Sequence, residues 1–284
     1  MTTLAKTDFL EFDMSAAAED FETAKESSSE ELFLRIQGGE NVLRILPPPV
    51  AWLEWFQKKG QRPEPFFVLW KHFYESPHEP GKYIASPCPE KMGVGPCPIC
   101  EEVRRMRASS DPIDRASADD MQPKHRFLMN VIDRSSPTGP KIYEGSYPYR
   151  KFQGKSAYEK IRKLMVGVTG VNLVTPSADG RDLVISKEGS GREGTTYTFQ
   201  ADPRGGRPLS DNPAQALEWV NSQPDLRKFI TPPSPEQILD IMAGRRPGDS
   251  GGPVVQVKDA PRGALPAASA MDHLPGDPDD DLTF

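Results

Sequence analysis

The sequence has no long apolar run: nowhere does it approach the roughly 20 consecutive apolar residues that a membrane-spanning helix requires. Its mean hydropathy of −0.58 is that of a water-exposed chain. The opening segment, MTTLAKTDFLEFDMS, lacks the basic start and apolar core of a secretory signal, so a soluble, cytoplasmic protein with no membrane partner is expected. Cysteine is scarce, with three in 284 residues. An odd number cannot pair completely, and a reducing compartment disfavours disulfides, which leaves metal ligation or packing. Internal repeats are absent, which excludes solenoid and propeller architectures. Abundant instead are turn formers: 30 prolines and 23 glycines place much of the chain in loops and linkers.

The net charge of −6 hides a segregation. Residues 1–34 hold 2 Lys and Arg against 9 Asp and Glu, a net of −7. Residues 35–207 hold 27 against 20, a net of +7, and residues 208–284 hold 6 against 12, a net of −6. A basic centre between acidic ends fits a polyanion-binding core whose ends can compete for its surface. An excess of this size over so many residues is also compatible with ordinary solvated surface.

Local patterns predict mostly short strands. LFLRIQGGENVLRILPPP reads as two strands about a Gly-Gly turn, and FFVLWKHFY as a strand of aromatic and β-branched composition. A turn-rich knuckle from His78 leads into a short basic helix from about Glu101. HRFLMNVIDR alternates as a strand and then meets a turn, SSPTGPKIYEGS. A helix capped by Ser156 follows, with Ile161, Leu164, Met165 and Val168 as its apolar stripe. RDLVISKEGSGREGTTYTFQ predicts a hairpin, and helices are expected near Ala214–Gln223 and Pro235–Ala243. From Arg245 the composition is that of a linker. These elements predict an α+β fold, mainly β: a partly open, OB-fold-like β-barrel carrying an inserted zinc subdomain, flanked by disordered acidic ends. The expected divisions are an acidic leader at 1–31 and a core at 32–207 with its zinc subdomain at about 66–108. A helical extension at 208–244 and a linker with acidic tail at 245–284 complete the chain.

Cys88, Cys97 and Cys100 lie within thirteen positions, and Cys97-Pro98-Ile99-Cys100 is a CxxC loop that offers two thiolates to one ion. A closed tetrahedral zinc site needs one further ligand, which either His72 or His78 can supply. A strand-like run holds His72 and aims it, whereas His78 sits in the turn SPHEPG. A thioredoxin-type redox pair is disfavoured by the third cysteine and the lack of a βαβ context. His78-Glu79-Pro80 does not reproduce the HxE of zinc deaminases, so the site reads as structural and no catalytic residue is assigned.

Cations alternate with aromatic side chains through the basic centre: Lys71 near Trp70 and Phe73, Lys82-Tyr83, Arg126-Phe127, then Tyr147, Tyr149, Arg150, Lys151, Phe152 and Lys155. Single-strand binding uses this pairing, with rings that stack on bases and cations that follow phosphates. Phe66, Phe67 and Trp70 read as core. The last residues combine Asp279, Asp280 and Asp281 with Leu282 and Phe284, an acidic tip suited to a basic-rimmed pocket on a partner or to the chain's own cationic groove.

The segments FVLWKHF, GKYIASPC, CPIC with its helix, HRFLMNVIDR and YRKFQGKSAYEKIRKLM together resemble the single-stranded DNA-binding proteins of T-even-type phages. The resemblance implies an OB-fold with a zinc subdomain, and a chain that coats single-stranded DNA during phage replication, recombination and repair in the infected bacterial cell. It implies His72 as the fourth zinc ligand. It also implies DNA contacts at Tyr83, Phe127, Tyr149, Arg150, Phe152 and Lys155, self-association on DNA, and a tail that recruits replication or recombination proteins. The tip DDDLTF is similar to that of bacterial single-stranded DNA-binding proteins. Where the family begins with a basic arm, this chain begins with its acidic segment. Two other classes fit parts of the pattern: a zinc-dependent nuclease or deaminase, and a zinc-ribbon adaptor between proteins.

Overall fold

In the computed structural model the described residues are 32–75, 83–148, 154–167, 170–190, 194–243 and the strand at 256–257. Alternating apolar residues build a single antiparallel sheet of eight strands. These are β1 (Gly39–Ile45), β2 (Phe67–Glu75), β3 (Tyr83–Pro87), β4 (Lys124–Asp133), β5 (Pro140–Ser146), β6 (Leu183–Glu188), β7 (Thr196–Ala201) and β8 (Gln256–Val257). The helices are α1 (Leu53–Lys58), α2 (Pro98–Arg107), α3 (Pro112–Met121), α4 (Ala157–Val166), α5 (Pro213–Asn221), α6 (Leu226–Phe229) and α7 (Pro235–Met242). The fold is therefore the α+β class expected. None of the described helices is long and apolar enough to cross a membrane.

Strand order is β7-β6-β1-β4-β2-β3-β8, with β5 joined to β4. The ten-residue β4 is the organising element. Along one edge it pairs with β5 from Arg126 to Ile132. Along the other it is shared: its first half pairs with β2 and its last three residues pair with β1. Among the described residues no ladder closes β7 onto β3 or β5, so the sheet is open.

The two faces bury different clusters, as the period of two demands. Leu43, Ile45, Phe127, Met129, Val131, Leu183 and Ile185 face one way and receive Ile161 of α4. Ser156 caps that helix as expected, in a reciprocal capping box with Glu159. Phe67, Leu69, Leu128 and Ile142 face the other way, beneath Trp52 just before α1, Phe56 of α1 and Leu226 of α6. Gly145 lets the Phe127 ring lie against β5, since a Cβ there would sit 2.5 Å from Phe127 Cε1.

Several elements differ from expectation. The segment KIYEGS, read as part of a turn, is the paired strand β5. Helix α2 begins at Pro98 and not near Glu101, and α3 was not anticipated, although Asp111 caps it and Pro112 occupies its first turn. Within the expected linker, Gln256 and Val257 pair with Ile84 and Tyr83. The remaining residues of that linker and tail, and the acidic leader at 1–31, lie outside the described residues.

One carboxylate ties the far half of the sheet together. Asp182, fully buried, accepts hydrogen bonds from Arg44 Nε (2.6 Å), Arg134 Nε (3.0 Å) and Arg207 Nε (2.6 Å). The guanidiniums continue outward to backbone carbonyls: Arg44 to Thr175 and Gly180, Arg134 to Pro208 and Leu209. Burial by itself would push the Asp182 carboxyl up, but the adjacent Arg134 and Arg44 outweigh it and hold it below the usual carboxylate range. A group depressed in this way stabilises the fold above its unfolded pKa of about 4 and loses that contribution as pH falls through the lower folded value. Asp182→Asn leaves Arg44 without its counter-charge, and a loss of about 3–5 kcal/mol is expected in urea unfolding at pH 7. Gly145→Ala is expected to cost about 1–3 kcal/mol by overpacking against Phe127, read from the same transitions.

Candidate metal centre and nucleic-acid interface

Alternation along β2 puts Trp70, His72 and Tyr74 on one face, toward α2, α3 and α7. There His72 meets Cys88, Cys97 and Cys100, whose ligand atoms all lie within 4.8 Å of one another. His72 Nε2 is 3.4 Å from Cys97 Sγ and 3.5 Å from Cys100 Sγ, and Cys88 Sγ is 3.5 Å from Cys100 Sγ. Ligands held at zinc–sulfur bonds of about 2.3 Å stand roughly 3.8 Å apart in a tetrahedron, so these four donors fit one ion. All four residues are buried.

The surrounding backbone prepares the donors. His72 Nδ1 lies 2.7 Å from the Met121 carbonyl, to which it can donate its proton and leave Nε2 facing the thiols. The Lys91 amide donates to Cys88 Sγ at 3.4 Å. Cys97 is the residue before α2, and Pro98 starts that helix without an amide hydrogen. With only protons in the cluster, burial opposes charge on His72, yet hydrogen bonds to Cys88, Cys97 and Met121 push its pKa up to about 9. Hydrogen bonds from Cys100 and Cys88 lower Cys97, while the Cys100 thiol is raised by the same crowding. Cysteine binds a metal ion as thiolate, so a cation entering the cluster displaces protons. His78 lies outside the described residues.

The expected DNA-contacting residues fall into three groups. Phe127 is a correction: it is 0% exposed, packed edge-on against Phe66 and Tyr158, and no base can reach its ring. Lys71 is a second correction, 5% exposed, with its ammonium held 2.7 Å from Glu144 and so not free for phosphate. Among the remaining described residues, Tyr83 is 37% exposed on β3. Lys155 is exposed just before α4, and Arg126 is half-buried, with Glu144 3.7 Å away. Tyr147 is also half-buried. Lys82, Tyr149, Arg150, Lys151 and Phe152 lie outside the described residues, as do Asp279, Asp280, Asp281, Leu282 and Phe284.

Sequence reading missed the most ordered aromatic feature. Trp70 and His125 are directly opposed across β2 and β4, and their rings stack at 4.2 Å and 4°. His125 continues to Tyr147 at 4.4 Å, and Tyr147 to Tyr158 at 4.4 Å. All four are half-buried, forming a column along the edge of the sheet face that holds Phe127. Trp70 was read as core, while His125 and Tyr158 carried no signal, since only the β2–β4 register brings the first two together. Burial lowers the His125 pKa, partly offset by its contact with the Pro148 carbonyl, which favours a neutral ring in the stack.

The metal test separates the two histidines. His72→Ala is expected to bring the zinc content of purified protein from one ion per chain to near none and to lower the melting temperature, whereas His78→Ala keeps both. Zinc retention should fall with pH as the thiolates regain protons, read by atomic emission after dialysis.

The model of a protein family described as gp32 DNA binding protein like matches residues 37–243 of the chain. Among curated proteins, none matches it.

Proposed function

Because the chain belongs to the family of gp32-like DNA-binding proteins, we propose that it coats single-stranded DNA without strong sequence preference and catalyses no reaction. The observation that carries this reading is the ring column Trp70–His125–Tyr147–Tyr158 on a sheet that also exposes Tyr83. Flat rings accept any base, which gives affinity without sequence readout. Lys155 and Arg126, together with Lys82, Arg150 and Lys151, supply the phosphate-neutralising charge, and Tyr149 and Phe152 add rings. The open eight-stranded sheet serves as an OB-type platform for this surface.

In this reading zinc occupies the His72, Cys88, Cys97 and Cys100 cluster and contributes rigidity, not chemistry: its four ligand positions are all filled by the protein. The rigidity reaches the column directly, because the Cys88 amide donates to the Trp70 carbonyl at 2.8 Å and His72 is two residues from Trp70. The setting proposed is phage DNA replication, recombination and repair inside an infected bacterial cell. Asp279, Asp280, Asp281, Leu282 and Phe284 recruit replication or recombination proteins, and neighbouring copies associate on the strand.

Titrating the protein with oligo-dT at two salt concentrations, against a duplex of equal length, tests the reading. Tight, tryptophan-quenching binding to the single strand and weak binding to the duplex are expected; equal, weak binding to both would sink it. Tyr147→Ala is expected to cost about 1–3 kcal/mol of single-strand affinity. Lys155→Ala should reduce the slope of log affinity against log salt by about 0.7, the value for one phosphate contact on a single strand.

A further inference from the structure

His125 is the one ring of the column that can change its charge near neutral pH. It lies parallel to Trp70 at 4.2 Å and 4°, and Tyr147 meets it at 4.4 Å. Two hydrogen bonds tie the segment after β5 to this residue. The Tyr147 amide donates to the His125 carbonyl at 3.2 Å, and His125 Nδ1 lies 3.1 Å from the Pro148 carbonyl. A carbonyl only accepts, so Nδ1 keeps its hydrogen and Nε2 is the atom that gains or loses the titrating proton.

The surroundings welcome a cation but supply no counter-charge. Aromatic faces attract a cation, tryptophan most strongly, and Trp70 is close enough to hold an imidazolium stacked on it. Lys124 and Arg126 flank His125 on β4, and alternation sends both to the opposite face, together with Lys71 of β2. His72 shares the face of Trp70 but is turned to the cysteines. The other titratable groups of the column are the phenols of Tyr147 and Tyr158, the latter pushed up to about 12 by burial. From α4, Lys160 reaches the Tyr197 carbonyl, and Arg162 lies over Tyr158 and 3.6 Å from Glu64. Asp119 and Asp120 of α3 are exposed, Asp119 being 3.4 Å from Arg107. Among the described residues no carboxylate is paired with His125, and burial holds the free ring below its ordinary pKa. A strand of phosphates laid along the column brings the missing anions and favours the charged ring.

We propose that single-stranded DNA bound at the column takes up one proton on His125 Nε2, so that binding tightens as pH falls. The inference rests on the single-strand reading above and adds a regulation to it. Its sign follows from linkage: DNA that raises the proton affinity of the ring has its own affinity raised by the same factor when the ring is protonated.

Full-length, zinc-loaded protein is titrated with oligo-dT from about pH 8 to about pH 6 at constant ionic strength, with zinc content read at each point. Affinity should rise by about 10-fold, the factor carried by one unit of pKa change. Calorimetry in two buffers of different ionisation enthalpy reads the proton uptake directly. His125→Phe keeps a flat ring and His125→Gln keeps a polar group, and in both the pH profile should be flat. The comparison is between slopes, not absolute affinities. A flat wild-type profile overturns the proposal. So does a slope that survives in both variants, which assigns the proton to another group such as His78, His273 or the metal centre. Equal binding of single strand and duplex by the wild type at pH 8 overturns the single-strand reading itself, and that control separates the two failures.

Discussion

Asp182 is the group on which the far half of the sheet depends. Its two oxygens receive three arginines: Arg44 from β1, Arg134 just beyond β4, and Arg207 from the segment after β7. Two oxygens cannot accept from every guanidinium N–H, so the backbone carbonyls of Thr175, Gly180, Pro208 and Leu209 accept hydrogen bonds from Arg44 and Arg134, and Asp202 lies 3.9 Å from Arg207. Irregular chain at 172–182 and 202–209 is thereby fixed without secondary structure of its own. Gly180 shows how tightly: a Cβ there would lie 2.5 Å from Arg44 Nη1. Hydrophobic burial draws these segments together, but it has no preferred register; the fork of each guanidinium does.

The near half of the sheet is held differently. There β2 and β3 bring His72 and Cys88 to α2, and the apolar shell of Ile99, Val103, Ala118, Ile238 and Ile241 surrounds the four donors. The ring column lies between the two anchors, with Trp70 packed against the metal-side cluster and Tyr158 on α4 packed against the main core. An aromatic surface whose members belong to separate elements needs both ends fixed, because a shift of either would open the stack.

What the sequence disclosed follows the range of the interactions concerned. The Ser156–Glu159 cap and the CxxC loop are local, and both were legible. The α+β class was legible from alternation and turn residues. Phe127 and Lys71 were misread because exposure is not a local property: alternation assigns residues to faces but does not say which face is covered. Only the pairing of β4 with β5, which brings Glu144 opposite Leu128 and near Lys71, removes Lys71 from the surface. The column was hidden for the same reason, since Trp70 and His125 are 55 residues apart and meet through register alone. Helix α3 was legible in principle from Asp111-Pro112, but its weak apolar stripe gave little reason to look.

The two-residue strand β8 covers the outer side of β3. Val257 is paired with Tyr83 and Gln256 with Ile84, so β3 is not an edge strand over those two residues. The backbone groups of Tyr83 and Ile84 that would otherwise be open to a foreign strand are already taken up by the chain itself, which leaves the Tyr83 ring, 37% exposed, as the part of this edge that a ligand meets.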